Sequence, residues 1–243
     1  MDLGIAGKVA LVTASSKGLG LASADALAAE GANVVICGRH GDSLQRAVDA
    51  ISARAGEVHG LEADVTEVAS PGRLVAATLE RFGALDILVA NAGGPPPTRA
   101  LDVTDEQIGS AVNANLTATV RLVREALPYM RAAGWGRICA ITSVSVKQPI
   151  PDLALSNLAR TGLWAWAKTA ARDLRGSGIT LNLACPGTHA TDRILQLGHS
   201  LPGAEMGDPA DFGKVVAFLC SQPAAFITGS AVSVDGGSTL GLL

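Results

Sequence analysis

The feature that most constrains the fold of this chain is a regular alternation between two kinds of segment. Short apolar runs rich in β-branched residues are separated by longer segments in which apolar residues recur with helical spacing. The first four such runs are residues 8–13, 33–38, 57–64 and 86–91. Alternation of this kind builds right-handed βαβ units with parallel strands. The first half of the chain is therefore predicted to form a parallel sheet covered by helices.

The same alternation continues through the second half. Helices are predicted near residues 104–132, 152–175 and 209–221, and strands at 137–142, 179–185 and 230–236. The complete pattern predicts an α/β fold of the Rossmann type, a doubly wound parallel sheet of about seven strands. Because no internal repeat or linker interrupts the 243 residues, a single domain spanning 1–243 is expected.

Composition and charge exclude several classes of protein. Hydrophobic residues make up 48% of the chain and charged residues 17%, which suits a large buried sheet and argues against disorder. A formal net charge of -3 without basic clusters predicts neither nucleic acid nor a membrane surface as a partner. The N-terminus lacks a secretion signal and no apolar run is long enough to span a bilayer, so a cytoplasmic location is expected.

The cysteines and histidines do not form a metal-binding pattern. The four cysteines are widely spaced without a CxxC pair, and the four histidines are never three or four residues apart. Structural zinc sites and helix-borne metal ligands require such spacings. We therefore predict no metal and expect reduced, buried thiols.

The first strand ends in TASSKGLG, residues 13–20, directly before a predicted helix. In doubly wound sheets ligands bind beyond the carboxyl ends of the strands. Gly18 and Gly20 allow the backbone to approach a pyrophosphate, and the unpaired amides of the helix's first turn favour its negative charge. A plain tight turn is the alternative, but the position after the first strand of a βαβ unit favours dinucleotide binding.

The order of several motifs resembles the short-chain dehydrogenase/reductase family over nearly the whole chain. The family carries TGxxxGxG, NNAG, an asparagine on the next helix, a serine after the fifth strand, YxxxK and PG. The corresponding elements here are TASSKGLG, in which Ala14 replaces the first glycine, ANAG at 90–93, Asn115, Ser143 and Pro186-Gly187. The resemblance implies a nicotinamide-dependent oxidoreductase.

The resemblance also implies which residues contact the cofactor. The glycine-rich segment would bind the pyrophosphate, Asp64 and Val65 the adenine, ANAG the ribose, and the segment after the sixth strand the nicotinamide. The implied contacts are Thr13, Ser15, Ser16, Lys17, Gly18, Leu19, Gly20, Asp64, Val65, Asn91, Ala92, Gly93, Pro186, Gly187, Thr188 and Thr191. A strand-end cap for Asn91 and a simple turn for Pro-Gly are the structural alternatives.

Two cations favour NADP(H) over NAD(H). The second strand ends in CysGlyArg, with Arg39 where an acidic residue would accept hydrogen bonds from the adenosine ribose. Arginine binds a phosphate through its planar fork, and Lys17 adds a second positive charge. The alternative is that both are solvated surface charges.

The expected catalytic pair is replaced. Thirteen residues after Ser143 the chain has Ser156, and four further on Arg160, so that YxxxK has become SxxxR. The only tyrosine, Tyr129, belongs to the preceding helix. Asn115, Ser143, Ser156 and Arg160 are the predicted catalytic set, and Arg160 is also a candidate for binding the ribose.

This replacement changes the chemistry. A phenol has a pKa near 10 that a nearby cation can lower, whereas an aliphatic hydroxyl is a poor general acid. An arginine stays charged and cannot relay a proton as an amine can. Lys147, His189 or a water molecule is the candidate proton donor, although both side chains can equally be exposed loop residues.

Three interpretations follow. The chain is an oxidoreductase with an altered or weakened proton-donor site, or a non-catalytic NADP(H)-binding module or scaffold subunit, or it has lost both cofactor and chemistry. Retention of Gly18, Gly20, Asn91, Gly93 and Pro186-Gly187 disfavours the third. SNLAR, VKQP and GGPPP together resemble a divergent branch similar to β-ketoacyl-acyl-carrier-protein reductases, which implies a small-molecule carbonyl or alcohol substrate of 3-oxoacyl type.

Two further segments bear on the substrate and on assembly. GGPPP, residues 93–97, is expected to form a stiff wall over the nicotinamide end of the cleft, or a rigid loop without ligand contact. The short stretch 191–208 contains Ile194, Leu195, Leu197 and Leu201, which suits an apolar or acyl-type substrate or a lid packed on the core. Family members associate through the two long helices, so a homodimer or homotetramer is implied, with Trp164 and Trp166 as candidate contacts.

Overall fold

The predicted parallel sheet is present in the computed structural model, which describes residues 1–196 and 206–241. Its seven strands are β1 (Val9–Val12), β2 (Asn33–Gly38), β3 (Val58–Glu62), β4 (Ile87–Ala90), β5 (Gly136–Ile141), β6 (Ile179–Pro186) and β7 (Ala231–Val234). All neighbouring strands pair in parallel, in the spatial order β3-β2-β1-β4-β5-β6-β7. The order reverses between β1 and β4, which is where such sheets bind ligands.

Helices connect the strands and cover both faces of the sheet. They are α1 (Gly18–Ala29), α2 (Gly41–Ile51), α3 (Ser70–Phe82), α4 (Asp105–Val112), α5 (Ala118–Ala133), α6 (Ala154–Asp173), α7 (Asp192–Gln196) and α8 (Pro209–Leu219). Two buried apolar clusters lie on opposite sides of the sheet, one containing residues of α3, α5 and α6 and the other residues of α1, α2 and α8. The predicted fold class is confirmed.

The five inner strands, β1, β2, β4, β5 and β6, are short and almost completely buried, as expected for a sheet covered on both faces, whereas the edge strands β3 and β7 are only partly buried. Every residue of β1, β4 and β5 is buried. The continuous apolar runs in the sequence therefore predicted these strands correctly. Apolar and polar residues alternate only in strands that have one face in contact with water. Cys37, Cys139, Cys185 and Cys220 are also buried and are not paired in disulfides.

The long helix predicted at residues 104–132 is interrupted. Helix α4 begins with a capping box, in which the Thr104 side chain accepts from the Gln107 amide while Gln107 accepts from the Thr104 amide. A π-helical turn, Asn113–Thr117, separates α4 from α5. Such turns occur frequently at functional sites, and this one contains the predicted catalytic residue Asn115.

Helix α7 was not predicted from the sequence. It begins at Asp192, five residues beyond Gly187, and Leu197 and Leu201 of the predicted substrate segment lie outside the described residues. In the described part of the chain, no helix combines the length and apolar character that a membrane crossing requires. The predicted association helices carry the exposed side chains of Tyr129 and Leu158, whereas Trp164 and Trp166 pack partly against the core.

Candidate functional site

The glycine-rich segment after β1 is held by the end of β4. The Thr13 hydroxyl donates to the Asn91 carbonyl oxygen at 2.8 Å and accepts from the Asn91 amide at 2.9 Å. The Asn91 side-chain amide donates to the Ala14 carbonyl oxygen at 2.9 Å. Thr13 and Asn91 therefore hold together the ends of β1 and β4, between which the strand order reverses (the switch point of the sheet). Asn91 thus has the strand-end capping role that the sequence left open as an alternative.

Gly20 is required by close packing. A Cβ added there would lie 2.6 Å from Asn91 Nδ2 and 2.8 Å from the Ala14 carbonyl oxygen, closer than ordinary Cβ contacts. Gly18 has a φ of 59°, in the left-handed region that favours glycine. Gly18 is thus required by its backbone conformation, and Gly20 by the lack of space for a side chain.

The N-terminus of α1 presents free amide donors. The amides of Gly18, Leu19 and Gly20 donate to no acceptor in the part of the chain that the structure describes. Lys17 precedes them as the N-cap residue without a capping side-chain hydrogen bond, and no acidic residue lies in the first turn. Unpaired amides and the positive end of the helix dipole form a site for an anion.

The two serines of this segment differ. Ser15 is buried, and its hydroxyl donates to the Val12 carbonyl oxygen and accepts from the Cys37 amide, so it joins β1 to β2. Ser16 lies beside Gly38, because a Cβ on Gly38 would be 2.9 Å from Ser16 Cβ. Ser15 therefore has a structural role, and Ser16 faces the end of β2.

Ala14 occupies the position at which the related motif has glycine, and its φ is 46°. A left-handed conformation costs a residue with a Cβ about 1–2 kcal/mol, which exceeds the extra backbone entropy that glycine loses, about 0.5–1 kcal/mol. We expect Ala14→Gly to raise the free energy of unfolding by about 0.5–1 kcal/mol, measured by urea denaturation. Ala76→Gly, at an exposed position within α3, should instead lower it by about 1 kcal/mol. A loss of stability in both variants would contradict strain at Ala14.

The two predicted phosphate-binding cations lie at neighbouring strand ends and are largely exposed. Arg39 Nη1 is 3.9 Å from Asp64 Oδ2, and Lys17 Nζ is 3.9 Å from Asp192 Oδ2 at the start of α7. Exposed pairs at this distance contribute little stability. Both cations therefore remain able to bind a further anion.

Asp64 and Val65 follow β3, as predicted. The Asp64 carboxylate accepts from the amide and the hydroxyl of Thr66. Burial raises the pKa of Asp64, but the hydrogen bonds from Thr66 and the charge of Arg39 outweigh it, so that the pKa is lowered. Val65 is buried in the core beneath, so this corner is a polar rim over an apolar floor.

The segment after β6 faces the glycine-rich segment. A Cβ on Gly18 would lie 3.8 Å from Thr191 Cγ2, and the Gly187 amide donates to the Val234 carbonyl oxygen. The carbonyl oxygen of Thr188 accepts from the Gly207 amide. The strand ends of β1, β4 and β6 thus enclose one cleft, together with the exposed Gly93 and partly buried Ala92 after β4.

Arg160 is buried, and only one nitrogen of its guanidinium group donates hydrogen bonds to described residues. It is 7% exposed, and its Nη1 donates to the carbonyl oxygens of Ile141 at 3.0 Å and Thr142 at 2.8 Å. These carbonyls end β5 directly before Ser143. Burial, and then the positive charge of Arg193, lower the pKa of the Arg160 guanidinium to about 10. The cation is therefore fixed at the strand end and remains charged at neutral pH.

The candidate hydroxyl donors lie around this cation. Ser143 Oγ accepts from the Ser145 amide at 3.1 Å, which leaves its hydrogen free to donate. Ser156 is 8% exposed, one helical turn before Arg160 on α6, and its hydroxyl makes no hydrogen bond to a described residue. Asn115, 3% exposed, donates to the Ala111 carbonyl oxygen, while its Oδ1 has no donor among the described residues.

The two candidate proton-donor side chains and the only tyrosine of the chain differ in position. Lys147 is half-buried and follows the short 3₁₀ turn after Ser143. His189 is 5% exposed, stacks edge-on against Phe212 with ring centroids 5.2 Å apart, and has Nδ1 3.3 Å from the Gly187 carbonyl oxygen. Tyr129 is 46% exposed on α5. Of the two side chains predicted as proton donors, His189 is packed into the protein and Lys147 is the more accessible.

One residue of this cleft was not identified from the sequence. Arg193, on α7, lies over the loop after β4, since a Cβ on Gly94 would be 3.0 Å from its Nη2. Its Nη2 donates to the carbonyl oxygen of the buried Pro95. The signal available was a basic residue two positions after Thr191, in a segment that the family resemblance already assigns to the cleft.

Comparison with known proteins identifies the family to which this chain belongs. The sequence profile described as Enoyl-(Acyl carrier protein) reductase matches residues 13–239. Dehydrogenase/reductase SDR family member 4 of Sus scrofa is 34% identical over 242 residues, covering 95% of this chain and 87% of that protein. Both matches extend over nearly the whole chain.

Two solved structures share the fold. L-sorbose reductase of Gluconobacter frateurii, complexed with NADPH and L-sorbose, superimposes with a TM-score of 0.92 at 31% identity over the full length of both chains. A 7α-hydroxysteroid dehydrogenase complexed with NADH and a 7-oxo bile acid gives 0.91 at 27% identity, over 100% of this chain and 98% of that one. Similar proteins thus bind either nicotinamide cofactor. From its sequence matches, its strand order and its glycine-rich turn, this chain belongs to the short-chain dehydrogenase/reductase family of oxidoreductases.

Proposed function

We propose that the protein is an NADP(H)-dependent oxidoreductase that interconverts a carbonyl compound and a secondary alcohol. The observation that carries this proposal is the set of free amides at Gly18, Leu19 and Gly20, placed at the switch point of the sheet between β1 and β4. A pyrophosphate supplies the acceptors that these amides lack. Because Gly20 has no Cβ, the turn packs directly against Asn91 and Ala14, which fixes the direction of these amides.

The residues around these amides fit a bound dinucleotide. Asp64 and Val65 would border the adenine, Asn91 to Gly93 the nicotinamide ribose, and Pro186 to Thr191 the nicotinamide. The unpaired Asn115 Oδ1 provides a buried acceptor near the same end of the cleft. When bound, the nicotinamide supplies a hydride to a carbonyl carbon or accepts one from an alcohol, being oxidised or reduced in turn.

The preference for NADP(H) rests on Lys17 and Arg39. The preceding residues, Ser16 and Gly38, are in contact, so Lys17 and Arg39 follow adjoining positions at the ends of β1 and β2. A 2′-phosphate bound there is a stronger acceptor than the distant carboxylates of Asp192 and Asp64.

The double variant Lys17→Gln/Arg39→Gln is expected to weaken NADPH binding by about 10- to 100-fold, because hydrogen bonds to a charged group contribute about 1.5–3 kcal/mol. NADH affinity should change less than about threefold. Fluorescence titration of each cofactor measures both. Arg81→Gln/Lys214→Gln removes two cations from α3 and α8 and serves as the charge-matched control. Equal weakening of NADPH and NADH would contradict a 2′-phosphate site.

In this proposal hydroxyl groups and a fixed cation activate the substrate carbonyl. The hydrogens of Ser143 and Ser156 are free to donate to its oxygen, and Arg160 adds a positive charge behind them. Charge fixed in advance at a developing oxyanion stabilises the transition state without reorganisation. The proton is supplied by water or by Lys147, since neither serine is an adequate general acid.

The dependence of the rate on pH follows from the pKa of Arg160. Because that pKa is about 10, the guanidinium stays protonated at lower pH, and kcat/KM for reduction is expected to be flat between about pH 6 and 9. Activity should then fall as the pH rises through about 10, when the positive charge is lost. A pH–rate profile with NADPH and a ketone tests this. Retention of full activity at pH 11 would contradict the lowered pKa of Arg160, whereas loss of activity in Arg160→Gln at pH 7 tests the role of the charge itself.

A second function is supported by the same region. Arg160 bonds the carbonyl oxygens that end β5, and Ser156 replaces the phenol, so the site fits a non-catalytic NADP(H)-binding module as well. Titration with NADPH followed by assays on ketones, 3-oxoacyl thioesters and secondary alcohols distinguishes the two. Turnover supports the enzyme, whereas tight binding without turnover supports the module.

We also propose that the protein acts as a homodimer or homotetramer. Helices α5 and α6 carry the large exposed side chains of Tyr129 and Leu158. Burial of such residues between subunits would remove apolar surface from water.

A further inference from the structure

Two arginines converge on the substrate side of the cleft. Arg193 lies flat on the loop after β4, since a Cβ on Gly94 would be 3.0 Å from its Nη2, 3.1 Å from its Nε and 3.2 Å from its Cζ. Arg160 approaches from beneath, bonded to the end of β5. Strands β4 and β5 are neighbours in the sheet. Both guanidinium groups therefore border the space between these strand ends.

The loop that carries this contact is fixed at both ends. Asn91 holds its start through Thr13, and Thr98 bridges to Leu153 at the start of α6. Ser156 is on the first turn of the same helix. Pro95, which accepts from Arg193, thus belongs to the loop that connects Asn91 to the start of the helix carrying Ser156. An anion bound by Arg193 would lie beside the reacting carbonyl.

The charge of the two arginines is not neutralised by a described residue. None of the ion pairs within residues 1–196 and 206–241 includes Arg160, Arg193 or Lys147. The acid beside Arg193 on α7, Asp192, faces Lys17 instead. Partly buried cations without an opposite charge are costly.

Several guanidinium donors are also free. Arg160 uses only Nη1, and Arg193 only Nη2, in hydrogen bonds to described residues. Burial lowers the pKa of Arg193, and its charge in turn lowers that of Arg160. Free guanidinium donors that border one space favour an anion there.

The cofactor pyrophosphate does not account for this arrangement. Its amide donors lie at the start of α1, and the facing residue after β6 is Thr191, next to Gly18. Arg193 extends from the following turn to Gly94 and Pro95, beyond Asn91. It is therefore available to the substrate when the amides of α1 hold the pyrophosphate.

We propose that the substrate is an oxo acid or the corresponding hydroxy acid, whose carboxylate is bound by Arg193. The planar fork of a guanidinium matches the two oxygens of a carboxylate. Arg160 remains the fixed charge behind Ser143 and Ser156, and the carbonyl of the substrate points toward them. This inference rests on the proposed oxidoreductase function and narrows its substrate to an anion.

The first test compares each acid with its neutral derivatives. The probes are 2-oxobutyrate, acetoacetate and 4-oxopentanoate, their methyl esters, and the N-acetylcysteamine thioester of acetoacetate, all assayed with NADPH. For at least one acid, kcat/KM is expected to exceed that of its ester by about 10- to 100-fold, the effect of a charge-assisted bidentate contact. Equal or better use of the neutral ester or thioester would overturn the inference.

Variants assign the selectivity to Arg193. Arg193→Gln should bring the acid-to-ester ratio of kcat/KM close to one, because the loss falls mainly on the acid. Arg193→Lys keeps the charge without the fork and should give an intermediate ratio. Arg99→Gln, an exposed cation on the same loop that faces Asp152, should keep the wild-type ratio. An equal loss on acid and ester in Arg193→Gln would overturn the inference.

A binding measurement separates this inference from the proposed function. Calorimetry of the NADPH-loaded protein with the three acids should show saturable binding of at least one, weakened about 10- to 100-fold in Arg193→Gln. Binding of an acid without turnover of any probe would reject the oxidoreductase proposal but support the anion site. Turnover of ketones without binding of any acid would support the oxidoreductase proposal and overturn the anion site.

Discussion

Gly20→Ala is expected to weaken NADPH binding by at least about 100-fold. Its Cβ would lie 2.6 Å from Asn91 Nδ2 and 2.8 Å from the Ala14 carbonyl oxygen, so it must displace the two groups whose hydrogen bond joins β4 to the glycine-rich segment. The free amides of α1 would then no longer point to a common acceptor. Several charge-assisted hydrogen bonds would be lost together, each contributing about 1.5–3 kcal/mol.

Isothermal titration with NADPH measures this effect, and thermal unfolding shows whether the variant is folded. Gly109→Ala is the matched control, because its Cβ would have no heavy atom within 4 Å and it lies in α4, away from the cleft. That variant should gain about 1 kcal/mol of helix stability and bind NADPH normally. If Gly20→Ala folds and binds NADPH as tightly as the wild type, the proposed role of this turn is wrong.

The second large effect is a gain of activity in the double variant Ser156→Tyr/Arg160→Lys. A phenol beside an amine provides the phenolic general acid that the wild type lacks, and proton transfer of this kind contributes about 10²- to 10⁴-fold. The position is suitable, since residues 156 and 160 are one turn apart on α6, both nearly buried, behind Ser143. We expect kcat for the best ketone to rise by about 100-fold or more.

Two variants identify the source of the gain. Ser156→Phe/Arg160→Lys fills the same space without a hydroxyl and should show no increase. Ser156→Tyr alone leaves Arg160 bonded to the carbonyl oxygens at the end of β5 and should show a smaller increase in kcat. Folding of each variant is checked by thermal unfolding, because loss of these carbonyl contacts costs stability. No gain in a folded double variant would mean that the missing phenol does not limit the rate.

Much of the fold was predictable because the sheet is buried on both faces. Strand β2 and the start of β6 lie at the predicted residues, since apolar β-branched runs leave little ambiguity there. The π-helical turn at residues 113–117 was not predictable, because its residues keep ordinary helical spacing and polarity. Helix α7, at five residues, is too short to produce a periodic pattern.

The candidate site was predictable where backbone geometry determines the residue type. Gly18 needs a positive φ and Gly20 needs space, so both can be recognised in sequence. The direction in which a side chain points cannot be recognised in the sequence. Ser15 lies in the predicted cofactor segment but turns inward to β2, and Arg160 bonds strand-end carbonyls that sequence spacing does not show.

The placement of Arg160 and Arg193 at the same cleft could not be predicted for the same reason. They are separated by 33 positions, and only the sheet order brings α6 and the segment after β6 to one cleft. Burial lowers the pKa of both guanidinium groups, and the charge of Arg193 lowers that of Arg160 further, which no local pattern reveals. The positions of these two charges therefore become known only from the tertiary structure, and the proposed binding of an anionic substrate depends on them.

Titration of the wild-type protein with NADPH and NADH, followed by fluorescence, tests the central claim most directly. Free amides at the start of α1, with Lys17 and Arg39 beside them, predict saturable one-to-one binding of NADPH, at least about tenfold tighter than that of NADH. Absence of saturable binding of either cofactor up to about 1 mM would contradict the claim.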